Sequence, residues 1–529
     1  MKKSNFMFGK LLSFGLFIFF SIFLIVVLAV SVKGYVGNPK IEDLNSNAWR
    51  DDGPLELSPE RGRFGLTYSL VEDQSSIYNL SVARFIVPDL GMRDDGKYVS
   101  LFAPGVSFLT IPGYLVGKYF GASQLGAYSI ISLIAVINAL LIIGILRSIG
   151  ANKISAYISS LLFLFGSPAF TYAVNLYQHH VTVLCLLLSL FILIKTKNIM
   201  YLSFVWLLYA ASFIVDYPNV YLLAPVAIAS FVRILQVSVK DKSLKIDFKF
   251  WGILTFFSVV LPVSFLLWYN SQTYNNPFQL AGTIESVKSL NSSGLPVDLD
   301  APKEVNPLQT ETEKTATGFF KSRNILRGFI VNFLGMDRGM IFFTPVMLIG
   351  FIGMITSYRK KIPLYATMSG TAFTVILLYS MWGDPWGGWA FGSRYLIPAY
   401  AVLSIFLGLF LTQFRKNILI LLAVLLLGSY SIAINTVGAL TSSRNPPKVE
   451  VLALEEISGT RQRYSFDRNF EFLQSGKSKS AFWTTVGHKF VTAQTFYLIV
   501  SGSIVVFFLV LSVCNYPFRK KGIKNENTK

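Results

Sequence analysis

Charge is scarce in this chain. Asp, Glu, Lys and Arg make up 14% of its 529 residues, where soluble domains carry about 25%. Cysteine is scarcer still: Cys185 and Cys514 each lie inside an apolar run, which excludes a disulfide framework and a Cys-based metal site. There are three histidines, too few for a His-rich metal centre. No P-loop, dinucleotide-binding glycine pattern, nucleophile elbow or HExxH helix occurs. Charges do not recur within the apolar runs as an ion or proton pathway needs, which weakens a carrier reading.

What is abundant is hydrophobic length. Residues of apolar type make up 53% of the chain. Runs long enough to approach the ~30 Å hydrocarbon core of a bilayer occur at 11–32, 124–146, 154–172, 181–194, 199–215, 218–235, 250–268, 341–357, 363–381, 396–412, 417–438 and 496–514. The expected fold is therefore an all-α polytopic membrane protein of about 12 transmembrane helices. The first run follows Met1-Lys2-Lys3 like a signal peptide, but it exceeds 20 residues and Ala29-Val30-Ser31 is a poor cleavage site, so it reads as an uncleaved span.

One further run, 103–120, is apolar but holds Pro104, Pro112, three glycines and Lys118. If it does not span and the N-terminus is cytoplasmic, every basic cluster faces inward: Lys2/Lys3/Lys10, Arg147/Lys153, Lys195/Lys197, Arg233 to Lys249, Arg359 to Lys361, Arg415/Lys416 and Arg519 to Lys529. Those clusters hold 22 basic and three acidic residues, the whole of the net +19. The excess is then an orientation signal and not a nucleic-acid footprint. The segment 103–120 reads as interfacial or re-entrant, and both termini are expected in the cytoplasm.

Polar chemistry concentrates on the other side, in loops 33–102, 269–340 and 439–495 and in turns 173–180 and 382–395. In the first loop, Ser58 is the expected N-cap of a helix carrying Glu60-Arg61-Gly62-Arg63-Phe64 and, at its end, Glu72-Asp73; apolar positions 64, 66, 67, 70 and 71 suggest one face lying along the interface. An acid beside two arginines suits anion binding and acid/base work, while the plainer account is surface ion pairing. Asp94-Asp95-Gly96-Lys97-Tyr98 precedes the Pro104-Gly105 break, where a lysine either clamps a phosphate or snorkels. His179-His180 sits at a span mouth, where adjacent helical side chains diverge too far to share one ion easily. Asp216 sits at another mouth, and Trp382 to Tyr395 brings Trp386, Trp389, Gly387, Gly388 and Arg394 together. Such glycines let backbone approach a bound group, and Arg suits phosphate bidentately. Residues 283–325 lack periodicity and read as a mobile loop or lid; Asp298-Leu299-Asp300 lies within them and carries little weight.

Taken in order, these segments resemble the GT-C superfamily of polyprenyl-phosphate-sugar-dependent glycosyltransferases, in the protein O-mannosyltransferase and aminoarabinose transferase branch. The resemblance covers the chain to about residue 440. It rests on Glu60-Arg61-Gly62-Arg63-Phe64, Asp95-Gly96-Lys97-Tyr98 with Pro104-Gly105 and Pro112, His179-His180, Tyr274-Asn275-Asn276-Pro277-Phe278, Arg338-Gly339 with Phe342-Phe343-Thr344-Pro345, and Trp386-Gly387-Gly388-Trp389 through Arg394-Tyr395-Leu396-Ile397-Pro398.

It implies a GT-C-like fold with juxtamembrane helices in the first extracytoplasmic loop. The chain divides into a catalytic module 1–440 (loop 33–102 with 103–120, middle loop 269–340), an outer loop 441–495, and a last span with basic tail 496–529. The implied activity is inverting transfer of a sugar from a polyprenyl phosphate or diphosphate to an extracytoplasmic glycan, lipid or protein. Glu60 is the implied general base, with Glu72, Asp73, Asp94 and Asp95 as competitors, because Glu60-Arg61 stands where relatives carry Asp-Glu. Arg61, Arg63, Lys97 and Arg394 are the implied phosphate ligands, and Tyr98, His179, His180, Asp216, Trp386 and Trp389 the substrate contacts. No cofactor is required, a divalent cation is optional, and no metal ligand set is assigned. The expected location is a bacterial or archaeal plasma membrane. The alternatives are a transporter or flippase of lipid-linked glycan, or a non-catalytic envelope assembly factor.

Overall fold

The computed structural model describes residues 2–235, 237–240, 243–246, 249–291, 294–297 and 318–517. The fold is an all-α polytopic membrane fold, and each of the twelve expected spans falls on helix. The principal helices are α1 (Lys2–Ser31), α2 (Ser58–Glu72), α3 (Gly105–Tyr119), α4 (Ser123–Ser148), α5 (Lys153–Phe165), α6 (His179–Lys195), α7 (Leu202–Val215) and α8 (Ala224–Leu235). They continue as α9 (Val260–Tyr274), α10 (Leu348–Ser357), α11 (Tyr365–Ser380), α12 (Ile397–Gln413), α13 (Ile418–Leu440) and α14 (Ala493–Asn515). Among the described residues, six segments are long and apolar enough to cross a membrane unaided: Phe14–Ser31, Ser123–Ser148, Trp251–Tyr274, Arg394–Gln413, Ile418–Leu440 and Ala493–Asn515. The rest are shorter and lean on neighbours. α12 is central, with nearly all of its side chains buried, while α9 and α14 show Leu261, Trp268, Leu498 and Val506 outward, as lipid-facing helices do.

The segment 103–120 forms α3, about 22 Å long at 1.5 Å per residue. It folds back through a short turn onto the first half of α4. Close approach is possible because Gly113, Gly117 and Gly126 meet there: a Cβ on Gly126 would lie 2.1 Å from the Gly113 carbonyl oxygen. The end of α3 is tied to the end of α2, where Glu72 accepts from Tyr114 (2.8 Å) and Lys118 (2.7 Å).

The first loop is more enclosed than its pattern suggests. Leu57, not Ser58, is the N-cap of α2; the Glu60 carboxylate accepts from the Leu57 N–H at 3.4 Å, and the Ser58 hydroxyl is spent on Asp89 (2.5 Å). The helix is not amphipathic along an interface, since Glu60 through Thr67 are buried on every side. Gly62 and Gly65 make this possible by admitting the Phe102 ring and Ile86 against the backbone. Beyond it, β1 (Leu90–Met92) and β2 (Tyr98–Ser100) form a hairpin, and β3 (Glu285–Val287) pairs antiparallel with β1, Gly91 opposite Ser286. The middle loop is thus a sheet partner over 285–287, with a second small hairpin at Ser289–Leu290 and Pro296–Val297, where a structureless lid was expected. Asp298 and Asp300 lie outside the described residues.

Candidate active site

Five separate segments converge on one cavity of about 140 Å³ at one end of the helix bundle. The first two turns of α2 supply Pro59 and Arg63, and Phe102 follows the hairpin. Tyr177 and Gln178 precede α6, Asp216 and Pro218 follow α7, and Tyr379, Trp382, Arg394 and Tyr395 come from the end of α11 and the approach to α12. At ~30 Å³ per water, the space holds four or five waters or a phosphate-sized group. The N-terminus of α6 abuts it through its N-cap Gln178, adding positive potential.

Two cations dominate the electrostatics of this cavity. Arg63 and Arg394 are both buried. Arg63 donates to the Pro59 carbonyl (2.9 Å) and to Gln178 Oε1 (2.6 Å), and stacks over Phe102 (4.8 Å) and Tyr177 (5.6 Å). Burial pulls it down to about 10 against the pull of Asp216, so it stays cationic at neutral pH. Arg394 lies over Tyr177 and Tyr395, 5.2 Å from each ring. Its Nε has no hydrogen-bond partner among the described residues, nor have His179 Nε2 and the Tyr177 hydroxyl. A buried guanidinium N–H left open beside a cavity is where an oxyanion would find a donor. Asp216 accepts from Gln178 Nε2 at 3.0 Å. Burial holds its carboxyl above the ordinary range, against Gln178 and both arginines.

Behind this wall lies a buried charge cluster with no counterpart among the sequence candidates except Glu60. Glu56 pairs with Lys479 (3.2 Å) and accepts from the Ser443 N–H (2.5 Å) and the Ser442 hydroxyl (2.8 Å). Lys33 donates to Ser443 Oγ (2.9 Å). Burial would push the Glu56 carboxyl up, but Lys479, Lys33 and the serine bonds outweigh it and hold it low. Glu60 has weaker support: burial, then the Glu56 charge, push it up to about 8 against Lys33, the Leu57 N–H and Lys479. Burial likewise lowers Lys33 to about 8 against Glu56 and Glu60.

The expected site residues are therefore divided. Arg63, Arg394 and Asp216 line the cavity; Glu60 does not line it but belongs to the charge cluster and acts electrostatically on Arg63, and His179 packs beside the cavity, its ring stacked with Tyr177 at 5.9 Å. His180 is turned away into the core, bonded to the Ala169 carbonyl at 2.8 Å. Arg61 is engaged by three carbonyls, of Leu55, Glu56 and Val87. Glu72 is taken by Tyr114 and Lys118, and Asp73 by Asn79 (3.0 Å). Asp94, Asp95, Lys97 and Tyr98 belong to the hairpin; Asp94 and Asp95 line a separate polar cavity with Arg93, Asn275 and Gln279. Trp386 lies under Arg327 (4.6 Å), and Trp389 bonds Glu450 (2.5 Å) beneath Arg444. Sequence reasoning did not single out Tyr379, Lys33, Glu56 or Lys479; a lysine directly after the first span was the one available signal.

No family model matches this chain, and no curated protein matches it. Among solved structures, ArnT from Cupriavidus metallidurans in the apo state is similar at a TM-score of 0.49 and 12% identity, covering 95% of this chain and 76% of that one. At that distance the likeness carries no chemistry across.

Proposed function

We propose that this chain is a membrane transferase that moves a sugar from a polyprenyl-phosphate carrier to an extracytoplasmic acceptor. The observation supporting this most is the pair of buried arginines, Arg63 and Arg394, which line one cavity and both lie over the Tyr177 ring. A lipid phosphate entering along those helices would meet two fixed cations in a water-poor site, where they stabilise charge developing on a leaving phosphate.

In this reading the C1–O bond of the donor breaks with its electron pair onto the phosphate oxygen, and the acceptor oxygen bonds C1 from the opposite face. The acceptor proton passes to Glu60, whose position near 8 suits proton acceptance better than an ordinary carboxylate. Residues 1–440 form the catalytic module, 441–495 close it from outside, and 496–529 add the last span and a basic cytoplasmic tail. The positive-inside pattern supports both termini in the cytoplasm and the cavity outside, in a plasma membrane that we read as bacterial or archaeal. No cofactor enters this scheme; a divalent cation would show itself as loss of turnover in EDTA.

The test is transfer from a labelled prenyl-phosphate sugar to envelope fractions, read by mass spectrometry. Turnover should rise toward pH 8 and fall by 10²-fold or more in Glu60→Gln. Vectorial movement of the donor across vesicles with no new glycoside would replace this reading with a flippase.

A further inference from the structure

The cavity that holds Arg63 and Arg394 also holds a carboxylate, and its placement is unusual for a counter-ion. Among the described residues Asp216 makes no direct ion pair with either arginine. The Gln178 amide stands between, accepting from Arg63 and donating to Asp216. Asp216 therefore offsets the arginine charges at a distance while its half-buried carboxylate lines the space an anion would enter.

The groups that act on it directly are two arginines and neighbouring tyrosines, while two further carboxyls, Glu60 and Asp384, act on Arg63 and Tyr395. Arg63 faces it from α2 and Arg394 from the approach to α12. Tyr217 is on its own turn, Tyr379 comes from α11 and Tyr395 lies next to Arg394. His179, from α6, faces the arginines and not Asp216. An anion bridging the two guanidinium groups would add a second negative charge to this small, water-poor space. It also diverts the guanidinium charge that holds Asp216 ionised, so the proton affinity of the carboxyl rises.

We propose that Asp216 is the counter-charge displaced by a bound phosphate, so that phosphate capture by Arg63 and Arg394 is coupled to uptake of a proton on Asp216. This rests on the reading of the cavity as a phosphate site. Burial already holds the carboxyl above its ordinary range, which brings the coupling toward neutral pH. By linkage, affinity falls as pH rises through the titration of Asp216, and a spent carrier is released more readily on the alkaline side.

The experiment is calorimetric titration of the full-length protein in nanodiscs with farnesyl methyl phosphodiester, a prenyl phosphate ester whose single charge does not titrate across the neutral range. Runs in buffers of different ionisation enthalpy count the protons taken up. Wild type should take up a fraction of a proton approaching one, with affinity falling by up to about tenfold per pH unit. Asp216→Asn should bind at least as tightly, with no uptake and a flat pH profile, and Asp216→Glu should restore both. Wild-type binding without proton uptake would overturn the proposal and leave the phosphate site standing. So would undiminished uptake in Asp216→Asn, which would assign the proton to His179 or another group. Absence of binding, or equal binding by an Arg63→Ala/Arg394→Ala double variant, would remove the phosphate site and the proposal together.

Discussion

Glu56 and Glu60 are four residues apart on one short stretch and end with opposite preferences. Glu56 has a lysine and two serine donors; Glu60 has one long backbone bond and a neighbouring anion. A carboxyl held up at about 8 carries a proton in the folded chain across a range in which the unfolded chain, at 4.5, has lost it. The folded state then binds more protons, so stability falls as pH rises between those values. Lys33 has the opposite sign, but its shift from 10.5 to about 8 acts only above 8. His179 and His180, held low by burial, oppose this trend below 6.5, so melting followed by tryptophan fluorescence should decline from about pH 6.5 to 8 in wild type and be flatter in Glu60→Gln; an unchanged slope would assign the titration elsewhere. The arginines make a second residue-scale prediction. Each charge-assisted bond is worth about 1.5–3 kcal/mol, so Arg63→Ala or Arg394→Ala should each weaken prenyl-phosphate binding roughly 10- to 100-fold. Arg394→Lys keeps the charge but loses the planar fork, and should recover only part of that affinity.

At the scale of elements, the α3–α4 hairpin decides how the first loop meets the bundle. Its three glycines replace side-chain packing with close approach, and at Gly117 and Gly126 the obstructing atoms are all backbone, which cannot swing aside. Gly126→Val should cost about 1–3 kcal/mol or more through overpacking, read as a lower melting temperature. Because α3 also carries Tyr114 and Lys118 to Glu72, the same change should loosen the end of α2. Faster amide exchange over 66–73 would report it, and protection equal to wild type would mean that α2 is held from elsewhere. The α2 helix shows what patterning misses: its spacing looked one-faced, but glycine on the other faces let neighbours enclose it.

Across the whole molecule, the Glu56–Lys479 pair joins residues more than 400 positions apart and links the first loop to the last. Lys33, directly after α1, enters the same cluster through Ser443, and Lys479 also bonds the carbonyls of Asp52 and Gly53. Removing one partner of a buried pair leaves an uncompensated charge, about 3–5 kcal/mol. Lys479→Met and Glu56→Gln should each melt earlier, while the double variant should lose less than their sum. Additivity would show that the two do not interact. Sidedness is tested at the same scale: with Cys514 replaced, single cysteines at exposed Lys97 and Lys360 should label from opposite faces of the membrane.

Hydrophobic run length was enough to place twelve helices, because crossing a bilayer demands a local property that composition displays directly. Prolines, glycines and charge bias together set 103–120 apart and gave the orientation expected of the chain. Asp216, His179 and Arg394 were legible too, since polar residues at span mouths stand out against apolar flanks, and Arg63 was legible in a charged first-loop helix. The tertiary structure alone decided which of them share a space. It put Arg63, Asp216 and Arg394 on one cavity, sent His180 into the core, and left Asp95 and Lys97 on the hairpin. It also assembled Lys33, Glu56 and Lys479 around Glu60, a cluster invisible in sequence because its members are far apart in the chain and each is ordinary alone. Proton affinity comes from burial and neighbouring charge, and both exist only once the loops have closed.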